Sequence, residues 1–276
     1  MTERKADVLP VPGASLYYEV RGSGPLLLIL AGGDGGANAS DLLVEQLAGH
    51  YAVVTYDRRG LSRSTRQDEA DNLDLTVHAD DAARILESLT DEPADVLGFS
   101  IGALIGLDLA ARYPARVRRL VAHEPPLTQL LPEADRTQAV QAQQAIEDTY
   151  RDAGLLQAMQ RFGAMTQLSF DDREPGVELP RPSADRATNL NFFLTHDAPA
   201  ARRYRADPDQ LKALAGKIQP AAGTTSRNIF PHKCAVRLAE LLGTPLAEFP
   251  GGHSGFLTHP QAFATVLRRH LDSPAA

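Results

Sequence analysis

Short apolar runs alternate along this chain with longer stretches in which apolar residues recur every three or four positions. That is the pattern of a parallel sheet covered by helices on both faces. Ser15 to Val20 reads as an early antiparallel strand, and Leu26 to Leu30, Ala52 to Tyr56 and Asp95 to Phe99 as central strands. Val117 to His123, Ile218 to Ala222 and Thr244 to Phe249 continue the sheet. Helical spacing occupies Asp41 to Ala48, Thr76 to Ser88, Leu104 to Tyr113, Cys234 to Leu242 and Pro260 to Leu271.

The alternation stops between Pro125 and Leu214, where no strand pattern occurs and Glu133 to Arg151, Gly154 to Gln167 and Ala184 to Thr195 read as amphipathic helices. The expected organisation is a core of residues 1–124 and 215–276, interrupted by a helical lid at 125–214. Asp171 to Pro182, rich in charge and proline, is expected to form a loop at the lid's mobile rim.

With 276 residues and 43% hydrophobic content, the chain can bury one substantial core. A net charge of −7 argues against a nucleic-acid partner, since phosphate-binding surfaces cluster Lys and Arg. No apolar run approaches the roughly 20 residues that cross a bilayer, so no membrane partner is expected. Residues Met1 to Asp7 are polar, with no export-signal pattern, and Cys234 is the sole cysteine. These features point to a cytoplasmic protein with a small-molecule substrate. Oligomeric state is not readable from them.

The chemistry concentrates at Gly98-Phe99-Ser100-Ile101-Gly102, set between the apolar Val96-Leu97 and the helical run from Leu104. A serine forced into a sharp strand-to-helix turn presents its hydroxyl outward, and glycines on either side keep the neighbouring backbone from colliding. The string alone is weak; its flanks make Ser100 the candidate nucleophile. A serine hydroxyl needs a base. His253, in the glycine-rich loop Pro250-Gly251-Gly252-His253 between the last strand and the terminal helix, is best placed to be one. His50, His78, His232, His259 and His270 fall in helices or at their ends and read as surface or capping groups; His196 lies in the lid.

An elbow, then a lid, then a late histidine is an order that resembles the α/β-hydrolase superfamily over nearly the whole chain. Ala31-Gly32-Gly33 resembles the family's oxyanion loop, and Tyr56-Asp57-Arg58-Arg59-Gly60-Leu61-Ser62-Arg63-Ser64 the turn after its following strand. The resemblance implies a mostly parallel twisted sheet with helices on both faces, and an oxyanion hole from the backbone N–H groups of Gly33 and Ile101. Asp34 is expected to turn away, because a carboxylate there would oppose the developing charge.

One position departs from the family. Its third catalytic member is usually an Asp in a Gly-x-x-Asp turn after the strand at Ile218 to Ala222, and here that turn reads Gly223-Thr224-Thr225-Ser226. No Asp or Glu occurs from Gln210 to Ala239, so either the triad is incomplete or another strand supplies the acid. Glu124, after the strand Val117 to His123, is the candidate, as in those family members that take their acid from this strand end. His123, on the opposite side by strand alternation, reads as structural.

Tyr150, Phe162, Met165, Phe192 and Phe193 are the candidate lining of an apolar pocket, and Arg202, Arg203 and Arg205 form either a carboxylate site or a solvated cluster. The leading expectation is a serine hydrolase of a small ester, lactone or related acyl compound. A cofactor-free oxygenase, lyase or perhydrolase of the same fold is a second reading, and a small-molecule receptor without turnover a third. No motif calls for a metal or cofactor.

Overall fold

The computed structural model describes residues 3–67 and 74–272; the outermost ends of the expected core halves, residues 1–2 and 273–276, lie outside them. Nine strands form one sheet among the described residues: β1 (Arg4–Val11), β2 (Ala14–Arg21), β3 (Leu26–Leu30), β4 (Ala52–Tyr56), β5 (Thr65–Arg66), β6 (Ala94–Phe99), β7 (Val117–His123), β8 (Ile218–Gly223) and β9 (Ala247–Phe249). Their order is β1-β2-β4-β3-β6-β7-β8-β9, with β5 paired beside β2. From β4 to β9 every pairing is parallel, while β2 runs antiparallel to β1, β4 and β5.

The helices are α1 (Asp41–Leu47), α2 (Leu75–Leu89), α3 (Ile101–Arg112), α4 (Glu133–Ala153), α5 (Leu155–Thr166), α6 (Arg186–Phe192), α7 (Ala198–Arg203), α8 (Pro208–Ala213), α9 (Phe230–Leu242), α10 (Gly255–Thr258) and α11 (Pro260–Asp272). Strand alternation divides the core in two. Leu28 and Leu30 of β3 join Val96, Leu120 and the apolar faces of α2, α3 and α9 on one side. On the other, Leu27 and Ile29 join Leu97, Phe99 and Val121 under α1 and α11.

Strand β1 has no counterpart in the hydrophobic pattern, because nearly all of it is exposed: this edge is held by its antiparallel ladder to β2 and not by burial. The last strand is shorter than its apolar run, beginning at Ala247 instead of Thr244.

Between β7 and β8 the chain forms α4 to α8 and no strand. The single helix expected from Ala184 to Thr195 is instead α6, a π-helical turn at Phe193–Asp197, and α7. The extra residue in that turn rotates Asp197 inward to full burial. Segment 171–182 is a loop as expected, and Glu174 ties it to the start of α11. Glu174 accepts from the backbone N–H groups of Gln261 (3.0 Å) and Ala262 (2.7 Å), so it caps the start of α11.

Candidate active site

Strand β6 ends at Phe99 and α3 begins at Ile101, so Ser100 alone makes the turn, with φ 52° and ψ −119°. A side-chain-bearing residue in that region is strained by on the order of 1–3 kcal/mol and persists only where surroundings hold it. Here its N–H donates to the His123 carbonyl at 2.9 Å. The flanking glycines are a packing requirement: a Cβ on Gly102 would collide with the Leu30 carbonyl, and one on Gly98 would lie 2.5 Å from the carbonyl oxygen of Gly102.

Glu124 follows β7 directly, also at positive φ (49°), and its carboxylate is wholly buried. Its Oε2 lies 2.6 Å from His253 Nδ1. Its Oε1 accepts the Gly223 N–H at 2.9 Å and the hydroxyl of Ser226. Burial opposes the charge, but the imidazoles of His232 and His253 hold the carboxyl well below the usual carboxylate range. An ionised carboxylate accepts only, so His253 donates from Nδ1, and the neutral imidazole in that tautomer has its Nε2 lone pair free. The Ser100 hydroxyl makes no hydrogen bond to that imidazole among the described residues.

The turn after β8 supplies the rest of the acid's surroundings. Thr224 and Thr225 donate backbone N–H groups to the Phe249 (2.9 Å) and Gly251 (3.1 Å) carbonyls, clamping the turn onto the histidine loop. Ser226, at the turn's fourth position, thereby reaches Glu124. Behind it stands His232, with Nδ1 3.4 Å from Ser226 Oγ and 3.7 Å from Glu124 Oε1. The surface or capping role expected for His232 and His78 is wrong: both are buried, because each lies on the inward face of its helix against an acid from another element. His123 packs among Phe99, Phe249 and Phe263 on the far side of the sheet, as expected.

The glycine loop lies against the elbow, with the Cβ position of Gly32 3.8 Å from Ser100 Cβ. Arg58 determines its course. Its guanidinium donates to the carbonyls of Ala31 (2.9 Å), Gly32 (2.8 Å) and Gly33 (3.0 Å), and at 2.7 Å to Asp197 of the insertion. The other Asp197 oxygen is 3.1 Å from His78 Nε2. Burial works against the Asp197 charge, yet Arg58 and His78 hold its pKa down to about 2. Ile101, the first residue of α3, has no intrahelical partner for its N–H. The half-buried Asp34 faces Arg186 at 3.8 Å.

A cavity opens over Ser100, roofed by the insertion. Phe162, Met165 and Phe193 line it, as do Gln143, Ile146 and Glu147 of α4. Tyr150 and Phe192, two expected lining residues, do not. The Tyr150 hydroxyl donates to Asn191 Oδ1 at 2.9 Å, and Phe192 packs over Gly60 and beside His196. Neither does the arginine cluster offer a free cation there: Arg202 forks onto Glu147 at 2.7 and 2.8 Å, and Arg205 donates to the Arg202 and Tyr204 carbonyls.

Sequence reasoning missed Ser226, His232 and the Arg58–Asp197–His78 cluster. Ser226 had a signal, since it occupies the position where the family's acid usually stands. Arg58 sits in the quoted Asp57-Arg58-Arg59-Gly60 turn, but its partner Asp197 is 139 residues away. No helix among the described residues is long and apolar enough to cross a membrane.

A strand–serine–helix elbow on a largely parallel sheet, together with a late histidine paired with a buried carboxylate, is the arrangement of the α/β-hydrolase class. A family model described as the alpha/beta hydrolase fold matches residues 24–260, and the chain belongs to that family as one of its hydrolases. It is 37% identical over 268 residues to the uncharacterized hydrolase YraK of Bacillus subtilis (strain 168), covering 96% of this chain and 95% of that protein. A zearalenone hydrolase of Bionectria ochroleuca is 26% identical over 276 residues, covering 94% of this chain and 96% of that one. Among solved structures, MGS-M2, an alpha/beta hydrolase enzyme from a Medee basin deep-sea metagenome library, superposes with a TM-score of 0.77 at 16% identity over 98% of both chains, a likeness of fold alone.

Proposed function

We propose that this protein is a serine hydrolase that cleaves a small carboxylic ester, lactone or related acyl compound through an acyl-enzyme on Ser100. The observation that carries this reading is the 2.6 Å contact between His253 Nδ1 and the buried Glu124, which leaves Nε2 as the base for a serine at a strained elbow. His253 Nε2 takes the Ser100 proton as the oxygen attacks the carbonyl carbon, and Glu124 stabilises the imidazolium. The N–H groups of Gly33 and Ile101 receive the oxyanion, where losing one donor typically costs about 3 kcal/mol of transition-state stabilisation. The imidazolium then protonates the leaving oxygen. In the second half-reaction the now neutral imidazole takes a proton from water as its oxygen attacks the acyl carbon, and returns that proton to Ser100 Oγ as the acyl–serine bond breaks and the acid leaves.

In this reading residues 125–214 are the lid over a small, mostly apolar substrate. Hydrolytic relatives, one named for a small molecule, support it. Against the receptor reading stands the carboxylate of Glu124 beside His253, an acid in place of the one missing after β8.

The test is a fluorophosphonate probe followed by short p-nitrophenyl esters. Labelling of Ser100 that requires His253, together with ester turnover, is the expected result. Labelling without turnover of any ester or lactone points to another chemistry on the same residues, and neither points to a receptor.

A further inference from the structure

Asn189, Phe193 and Asp197 stand four residues apart along α6 and the π-helical turn, and all three are buried. All three meet the glycine loop. Asp197 does so through Arg58, which bonds the Ala31, Gly32 and Gly33 carbonyls. The ring of Phe193 lies 3.6 Å from the Cβ position of Gly33, and Asn189 Nδ2 donates to the Asp34 carbonyl at 3.1 Å. The same amide grips the turn that carries Arg58: Oδ1 accepts the Ser62 N–H at 3.0 Å, and Nδ2 donates to Ser62 Oγ at 2.8 Å. A backbone N–H must meet an oxygen, which fixes the amide's orientation and leaves both its hydrogens used. Ser62 is itself at positive φ (48°), a conformation that its surroundings must hold. These bonds decide where the loop's N–H groups point. In a planar trans peptide the carbonyl of one residue and the N–H of the next point opposite ways. With the Gly32 carbonyl drawn to Arg58, the Gly33 N–H points away from the guanidinium, and with the Asp34 carbonyl drawn to Asn189 the loop's far end is held as well.

We propose that Asn189 is a positioning residue of the oxyanion hole: it fastens the glycine loop to the turn carrying Arg58, so that the Gly33 N–H stays aimed at the developing oxyanion. This rests on the hydrolase reading of Ser100. A developing charge gains most from donors whose direction is fixed beforehand, so a loosened loop lowers turnover more than it weakens binding. Asn189 does not line the cavity over Ser100, and KM therefore has no direct cause to move with it.

The experiment compares p-nitrophenyl butyrate with its thiono analogue, in which sulfur replaces the carbonyl oxygen, on the full-length protein. Sulfur accepts hydrogen bonds weakly, so turnover of the thionoester gains little from oxyanion donors. In Asn189→Ala, kcat for the oxygen ester is expected to fall about 10-fold or more with KM within about 3-fold, while the thionoester rate changes little and the ratio of the two rates falls accordingly. Asn189→Asp, equal in size but unable to donate to the Asp34 carbonyl, is expected to lower the ratio too, and it reads the role should the alanine variant not fold. Glu174→Ala, which frees a different anchor of the insertion, is expected to leave the ratio at its wild-type value. An unchanged kcat, an equal fall for both esters, or a ratio lowered as much by Glu174→Ala each overturns the positioning role. Fluorophosphonate labelling of wild-type Ser100 is read separately: labelling with an unchanged ratio in both Asn189 variants defeats the positioning role alone, whereas absent labelling defeats the hydrolase reading beneath it.

Discussion

The hydroxyl of Ser226 donates to Glu124 Oε1, so the fourth residue of the turn after β8 contributes a proton where related enzymes usually carry a carboxylate. The carboxylate of Glu124, on the neighbouring strand's end, points into the same space. One strand spacing is about 4.8 Å, a distance that the longer glutamate side chain spans from β7 to the histidine loop.

Exchanging these two positions tests the relocation. Ser226→Ala should destabilise the fold by about 1–3 kcal/mol, because it strips a donor from a buried charge. Ser226→Asp should be worse near neutral pH, since two carboxylates would then share one pocket. Adding Glu124→Gln to Ser226→Asp should return part of the turnover that Glu124→Gln loses alone. Ester kinetics on the three variants decide it, and a double variant as inactive as the single one would show that the turn after β8 cannot deliver an acid here.

Removing members of the catalytic set should give unequal losses. Ser100→Ala and His253→Ala should each lower turnover by about 10⁴ to 10⁶, and Glu124→Gln by about 10³ to 10⁴, because the histidine then loses its tautomer and its counter-charge. Pre-steady-state kinetics with p-nitrophenyl acetate measures both. Near wild-type turnover in Glu124→Gln would remove the acid from the proposal.

Asp197 should matter to both stability and catalysis although it lies on the insertion. Asp197→Ala leaves the Arg58 charge buried without its acid, a change that typically costs about 3–5 kcal/mol. Arg58 also holds three successive carbonyls of the glycine loop, so the variant should lower kcat more than it raises KM. Urea denaturation and steady-state kinetics report the two effects. An unchanged kcat in a destabilised variant would reduce the contact to a lid anchor.

Acid should weaken the fold in two separable steps. Burial among aromatic rings lowers the His123 pKa from 6.5 to about 4, only partly opposed by Glu124, while His232 and His253 add to the lowering. The unfolded chain therefore binds more protons in that interval, and stability falls as pH drops from 6.5 to about 4, by on the order of 3 kcal/mol. The carboxylates of Glu124, held well below 4.5, and of Asp197, depressed to about 2 from 3.8, add their losses at lower pH. His123→Leu should flatten the first step and leave the second. Denaturation midpoints measured across the acid range check this, and an unchanged slope above pH 4 would show that His123 is not its source.

Much of the scaffold was legible because burial leaves a mark on composition. Strand β3 is a continuous apolar run, and β4 and β6 are nearly so, interrupted by Thr55 and Asp95, as expected of strands covered on both faces; the elbow glycines stand where backbone crowds backbone. Edge strand β1 was not legible, since hydrogen bonding to β2 and not burial holds it. The π-helical turn that rotates Asp197 inward carries no local signature either.

By itself, the order of residues determined the sheet's central strands, the serine at the strand-to-helix turn, the candidate histidine in the glycine-rich loop, and the absence of Asp and Glu from Gln210 to Ala239. Those features are local, written in spacing, glycine placement and the absence of Asp and Glu over a stretch. Only the tertiary structure decided that Glu124 and Ser226 meet, that His232 backs them, and that Arg58 ties the glycine loop to Asp197. Contacts between residues about a hundred positions apart depend on strand order and on which way each side chain leaves the backbone, and neither is encoded in any one segment.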